Sequence, residues 1–322
     1  MRSDRRTLDV LSVGDASVDY FVQVPHIARA DDKAIGRLLG VHGGGMSANL
    51  AVAAAYCGAR TGLITAYGSD DRGARQIEEL QSLGVDTSQS IGLPDAEGWF
   101  CVVQLDATGE KALVGVETDV KIPRAAEVHD DALRSSRVVV PLADDVPWAL
   151  DLARRAREAG ALVAVDLEPS TVDGDWRDLE ALLGLTEVVF ANRATIERVA
   201  GGDFERAAET FRRFGARIVV LTDGRRGATC STSDGSWSAS TRVETVADTT
   251  GAGDALAGAF IGSWIRGADL PSSLRAGVAV SSLCVEHVGA RSYAPSVPAD
   301  SPIHIRRLEG VRLSQEASDD TA

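Results

Sequence analysis

The sequence predicts an α/β fold: a doubly wound, mostly parallel sheet with helices on both faces and a small β-strand lid. Short β-branched or apolar runs, "LDVLSVG", "RTGLITAYG", "RVVVPL", "ALVAVD", "EVVF" and "RIVVLT", recur between longer amphipathic stretches. Strands separated by helix-length segments are the pattern of a parallel sheet covered on both sides. Two segments break that rhythm, Tyr20 to His42 and Trp99 to Gly115, and both read as strand pairs, the second turning at "DATGE".

In chain order, the first strand is "LDVLSVG", and the first strand pair follows it. The run "NLAVAAAYCGA" is a helix of small residues able to pack closely on its neighbours. "VPWALDLARRAREAG" places Trp148, Leu150, Leu152 and Ala156 toward one side, keeps its charges mostly elsewhere and stops at Gly160. The expected organisation is one domain over 8–310, lid insertions at about 20–42 and 97–117, and a disordered tail over 311–322.

The chain has 322 residues and a formal charge of −14, and its isoelectric point near 4.8 argues against a nucleic-acid or anionic-membrane surface. An acidic protein can still hold a small anion on a few oriented amides. No apolar run reaches the roughly 20 residues of a membrane span, and the charged start lacks a signal-peptide core, so the expected location is cytoplasmic. Cys57, Cys101, Cys230 and Cys284 are far apart and form no CxxC pair, which suggests reduced packing residues rather than disulfides or a zinc site. His42, beside the glycines, reads as structural.

Two glycine-rich turns carry the chemistry. "HGGGMSANL", His42 to Leu50, lets main chain approach a ligand. "DTTGAGDALAGAF", Asp248 to Phe260, opens a helix whose first N–H groups form an anion site, and it sets a carboxylate, Asp254, just behind them. Together with "VGDASVD" and "LTDGRRGA", these motifs resemble, in order and over nearly the whole chain, the ribokinase-like or PfkB family of carbohydrate and nucleoside kinases. No GxxxxGK[ST] loop is present.

The resemblance implies ATP-dependent phosphoryl transfer to an alcohol, with ATP and Mg²⁺ required and K⁺ a further expectation. Gly251, Ala252 and Gly253 would stabilise the transferring phosphoryl group, and Asp254 would take the hydroxyl proton. Asp19, Gly44, Gly45 and Asn49 would hold the sugar, although Asn49 also suits a helix cap. Trp99 and Phe100 would cover its C–H face. Asn192, Thr222, Gly224 and Gly227 fall on the nucleotide side. Carbonyls near Asp248 and Thr250 match a monovalent-cation site, and Asp166 is a candidate for Mg²⁺ through water.

The chain departs from the family twice. Thr195 stands where an Asn-x-x-Glu pattern has its carboxylate, and Ala143 stands where ribokinases proper have an acidic sugar contact. The acceptor is therefore expected to be a small sugar or sugar derivative. A nucleoside using Trp99, Phe100 and Tyr20 as a base slot is the alternative, and a sugar-binding sensor with weak catalysis is the alternative of another class. Arg29, Lys33 and Arg37 are the cations an anionic acceptor would need. A homodimer through paired lids completes the expectation.

Overall fold

The computed structural model describes residues 6–106, 111–293 and 303–308. A ten-stranded sheet runs through it, formed in spatial order by β6 (Val85–Asp86), β4 (Thr61–Ile64), β1 (Leu8–Val13), β10 (Ser136–Pro141), β11 (Leu162–Leu167), β12 (Val188–Ala191), β13 (Ile218–Thr222), β14 (Ala228–Thr232), β15 (Gly235–Ser240) and β16 (His304–Leu308). From β6 to β13 the neighbours are parallel, while β14, β15 and β16 extend the sheet antiparallel. All six apolar runs read as strands are in this sheet, the second of them as β4.

Alternation along each strand divides the core between the two faces. Val188 and Phe190 enter one hydrophobic cluster with Phe260 and Leu274, and Val189 and Ala191 enter the other with Leu152, Leu182 and Phe211. Helices cover both clusters, among them Val146–Glu158, which buries Leu150, Leu152 and Ala156 as its spacing predicts.

The two predicted strand pairs become one sheet. β2 (Ser17–Gln23) pairs antiparallel with β3 (Arg37–Gly44), β8 (Phe100–Leu105) pairs antiparallel with β9 (Lys111–Val116), and β2 joins β8 in parallel with Asp19 opposite Cys101. The lid is thus four-stranded, in the order β3-β2-β8-β9. A two-stranded pair, β5 (Ala66–Gly68) with β7 (Ile91–Leu93), stands beside it. β2 begins at Ser17, so Asp19 lies on a strand of this sheet. Positions 107–110 of the "DATGE" turn and the tail over 311–322 lie outside the described residues.

Two helices meet under the lid. Gly258 and Gly262 of the helix Ala252–Ile265 lie against Leu50 and Ala54 of the helix Met46–Tyr56, so closely that a β-carbon on Gly258 would stand 2.1 Å from the Leu50 carbonyl oxygen. The Ala-rich sequence of the first helix and the glycine ridge of the second make that approach possible. This contact fixes how far apart the two glycine-rich motifs can be.

Candidate active site

Strand order reverses beside β1, with β4 on one side and the later β10 to β13 on the other. In open α/β sheets the crevice at such a switch point, outside the carboxyl ends of the strands, is where ligands bind. Here it is a cleft of about 1390 Å³ between sheet and lid. That is larger than one drug-sized ligand needs and leaves room for two substrates side by side. Residues just beyond successive strand ends line it: Asp15 after β1, Asp144 after β10, Glu168 after β11, Asn192 after β12, and Thr222 and Gly224 at β13.

The two glycine motifs converge at its centre. Gly251, with φ of 75°, begins the helix Ala252–Ile265, and Gly251, Ala252, Gly253 and Asp254 all line the cleft. The first N–H groups of such a helix have no carbonyl one turn back to bond, which leaves them for a ligand. Only a long contact of 3.4 Å draws the Ala252 N–H toward the Thr249 carbonyl.

Across the helix pair, Asn49 Nδ2 donates to Asp254 Oδ2 at 2.9 Å. Asn49 lies inside its helix, whose N-cap is Gly45, so its side chain orients Asp254 and does not cap. Among the described residues its buried Oδ1 has no partner, and Asn49 faces the cleft. Enclosure at the foot of the cleft pushes the Asp254 carboxyl well above the ordinary range; Asn49 opposes this, and Asp166, Asp15 and Glu168 add to it by like charge.

At the lid end, Ser17 Oγ donates to Asp19 Oδ1 at 2.7 Å, and burial pushes the Asp19 carboxyl upward. Asp19 packs on Gly44, where a β-carbon would lie 2.2 Å from Asp19 Oδ2, so Gly44 makes room for the acid while Gly45 lines the cleft itself. Trp99 also lines it, with a buried Nε1 that has no partner among the described residues and with Lys121 Nζ 5.1 Å from its ring centroid.

Phe100 corrects the expectation. It does not line the cleft: its ring meets Tyr20 edge-on and carries the Arg72 guanidinium at 4.7 Å. Adjacent residues of an extended chain face opposite sides, so of the pair only Trp99 faces the cleft. Tyr20 likewise packs outside the cleft, and Arg29, Lys33 and Arg37 are exposed and line none of it. His42 packs edge-on against Phe21 and meets the Ser292 hydroxyl at 3.3 Å, a structural role as expected.

Beyond the ends of β11 and β12, Asn192 caps the helix Arg193–Ala200 by accepting from the Thr195 N–H at 2.9 Å, and its Nδ2 donates to Glu168 Oε2 at 3.1 Å. Thr195 is fully buried and donates to the Leu167 carbonyl at 2.8 Å, so its position faces the core. Glu168, which the sequence reading missed, instead sets a carboxylate in the cleft, and burial pushes it upward.

Asp166 does not reach the main cleft. With Asp254 it borders a separate cavity of about 20 Å³, room for about one water, and burial followed by the Glu168 charge raises it to about 7. Gly224, with φ of 51°, and Gly227, with φ of 91°, shape the turn after β13. Its Asp223 is held down to about 2, first by Arg193, with Arg226 adding to this.

Asp248 is buried and accepts from the Thr250 N–H at 2.9 Å, the Thr250 hydroxyl at 2.7 Å and the Gly289 N–H at 3.1 Å. Lys111, also missed from sequence, reaches across from β9 and donates to Thr250 Oγ1 at 2.9 Å. Ala143 is core, but its neighbour Asp144 enters the cleft and pairs with Lys121 at 3.1 Å. All four thiols are free.

Comparison with known proteins agrees with this geometry. The family model described as pfkB family carbohydrate kinase matches residues 7–297. An ATP-dependent ribose-1-phosphate kinase of Halopiger xanaduensis is 32% identical, the match covering 90% of this chain and 96% of that one. A nucleoside kinase of Methanothermobacter thermautotrophicus is 28% identical over 92% of this chain and 94% of the relative. Among solved structures, a putative ribokinase II from E. coli superposes with a TM-score of 0.79 at 20% identity, covering 89% and 95% of the two chains, which attests the fold.

Proposed function

Because this chain belongs to the pfkB family of carbohydrate kinases, we propose that it transfers the γ-phosphoryl group of ATP to a primary hydroxyl of a small sugar or sugar derivative. The observation that carries the reading is the Asn49–Asp254 contact at the free end of a helix. It puts a proton acceptor and three amide donors around one point, where a hydroxyl can attack a phosphorus atom. The acceptor oxygen bonds to the γ-phosphorus, the bond to the bridging β–γ oxygen breaks, ADP leaves with that electron pair, and Asp254 takes the proton.

The donor set at the strand ends fits Mg²⁺. Among the described residues no group of three or more acidic, histidine or cysteine side chains could cage a metal, but Mg²⁺ is usually held by one or two carboxylates with the substrate phosphates, and Glu168 presents such a carboxylate to the cleft, steadied by the Asn192 amide. Glu168 would hold the ion's water shell, with Asn192 orienting its carboxylate and Asp166 lying behind. The ion supplies charge neutralisation of the phosphates when bound. Glu168→Gln should raise the Mg²⁺ concentration at half-maximal activity and weaken Mn²⁺ binding in the presence of an ATP analogue, read by electron paramagnetic resonance. Thr195→Glu, in contrast, should destabilise the fold, since it would bury a charge in place of a satisfied hydroxyl.

A monovalent cation near Asp248 and Thr250 would share these residues with the Lys111 ammonium, 3.9 Å from Asp248 Oδ1. We therefore expect turnover without potassium.

Asp15 and Asp19 favour an uncharged polyol at the lid end. Trp99 is the one aromatic side chain lining the cleft among the described residues, which gives a nucleoside base little to stack between. Ile35, Leu38, Leu39 and Val114 are exposed on the lid and do not line the cleft, and they support pairing with the lid of a second copy. A cytoplasmic location follows from the use of ATP and suits four free thiols. No helix among the described residues is long and apolar enough to cross a membrane.

An ATP-consumption screen over pentoses, hexoses, ketoses, sugar acids, polyols, ribose 1-phosphate and nucleosides tests the reading. Acceptor-dependent ADP release with a free sugar supports it. Turnover with none, alongside tight sugar binding, would favour a sensor.

A further inference from the structure

We propose that Lys111 is a catalytic residue of this kinase, the lid's own contact with the transferred phosphoryl group. The proposal rests on the kinase reading above. It begins from composition: the chain has three lysines, Lys33, Lys111 and Lys121, against thirty arginines, and two of the three line the cleft. The same cleft is also lined by Arg193, Arg225 and Arg242, but an ammonium is a compact point charge with a different donor geometry from a planar guanidinium.

The geometry says what that ammonium reaches. Lys111 opens lid strand β9, yet its Nζ donates to the hydroxyl of Thr250, the residue just before the Gly251 N-cap. The contact spans the cleft between the lid and the catalytic helix. An ammonium has three donors, and one is spent on Thr250. The Asp248 carboxylate, 3.9 Å away, is already engaged by Thr250 and Gly289, so it fixes the ammonium by charge more than by a hydrogen bond. The side chain is about one-third exposed, toward the cleft.

A phosphoryl group on the amides of Gly251, Ala252 and Gly253 therefore meets Lys111 on the side facing the lid. There it donates a charge-assisted hydrogen bond to a phosphoryl oxygen while the acceptor oxygen bonds to phosphorus, the bond to ADP breaks and the proton goes to Asp254. Lys111 gives up no proton. Because it belongs to the lid and already touches Thr250, a further bond to a γ-phosphoryl group adds to the hold on the lid over the γ-position, which favours closure before transfer and limits attack by water. Neither β- nor α-phosphate needs to touch it.

Calorimetric titration of wild type, Lys111→Met and Lys111→Arg with Mg²⁺ and either a non-hydrolysable ATP analogue or ADP tests this, with kcat and KM measured in parallel. Lys111→Met should weaken the analogue by about 10- to 100-fold, as expected for one lost hydrogen bond to a charged group, and leave ADP affinity unchanged. The unchanged ADP affinity also reports an intact fold. The value of kcat should fall while acceptor KM stays nearly constant, and Lys111→Arg should recover little. Equal loss for both nucleotides, or loss for neither, would overturn the proposal, as would a rise in acceptor KM alone. If wild type binds neither nucleotide, the kinase reading fails with it; if wild type binds both and Lys111→Met still prefers the analogue to the same degree, only the role of Lys111 fails.

Discussion

The two ends of the cleft are built differently. The end we assign to the phosphate is made of contiguous sequence: one turn, "TTGAGD", carries both the free amides and the proposed base Asp254, and a glycine ridge packs its helix on the helix that carries Asn49. The lid end is assembled from two insertions lying far apart in sequence, joined by the parallel pairing of β2 with β8, and each of its side chains reaches the cleft only if its place in the strand faces that way. On the proposed function, the chemistry that the whole reaction class shares sits in a short local motif, and selection of the acceptor falls to a sheet whose register decides what is displayed.

Opening the rigid end should have the largest effect. Gly258→Val drives a β-carbon into the Leu50 carbonyl, so the helices must separate and the Asn49–Asp254 bond must stretch. Overpacking of this kind costs about 1–3 kcal/mol, and a displacement of about 1 Å at reacting groups costs about 10²-fold in rate. Thermal melting and turnover should therefore fall together. Undiminished kcat would show that the helix contact does not set the catalytic distance.

The lid end should respond more mildly and in a side-dependent way. Trp99→Ala should raise the acceptor KM by about tenfold, on the order of one lost ring contact, and leave the KM for ATP unchanged. Phe100→Ala, one residue along, should leave both KM values alone and lower the melting temperature, because its ring braces Tyr20 and Arg72. Equal KM effects at the two positions would mean that the strand displays a different face.

A smaller effect lies beneath the rigid end. The Asp166 carboxyl is raised to about 7 from an ordinary value near 3.8, so the folded protein binds a proton there that the unfolded chain releases. Its stabilising contribution is complete below about pH 4 and is lost as pH rises through 7. Measured without Mg²⁺, Asp166→Asn should therefore raise the melting temperature above about pH 7 and lose that advantage below about pH 4. The opposite trend would place a stabilising charge at Asp166.

These differences match what could be read from the sequence. The alternation of strands and helices fixes the sheet, and the Gly-Ala-Gly-Asp turn marks the anion site, because both are local patterns with local causes. Adjacent residues of a strand cannot both face a ligand, a rule that separates Trp99 from Phe100 by their spacing alone. The pairing of two distant insertions leaves no such trace, since strand partners are chosen by tertiary packing. Glu168 and Lys111 are hidden for the same reason: one carboxylate after a strand and one lysine beside a turn look like solvated charges until the fold brings Asn192 and Thr250 to them. The position of Glu168, just past the carboxyl end of a parallel strand, is the one signal that points toward the crevice. At Thr195 the sequence shows a missing acid, but only the fold shows that its side chain faces the core.

The central claim is that Asp254, oriented by Asn49, takes the acceptor's proton. Its most direct test is the turnover of Asp254→Asn with the best acceptor from the screen, with binding of a non-hydrolysable ATP analogue and thermal melting measured on the same sample. The account predicts acceptor phosphorylation lower by about 10²- to 10⁴-fold. The analogue should bind about as tightly as in wild type, since the amides of Gly251, Ala252 and Gly253 are unchanged, and melting should change little. Turnover near the wild-type level would contradict the account, whatever the fate of the fold.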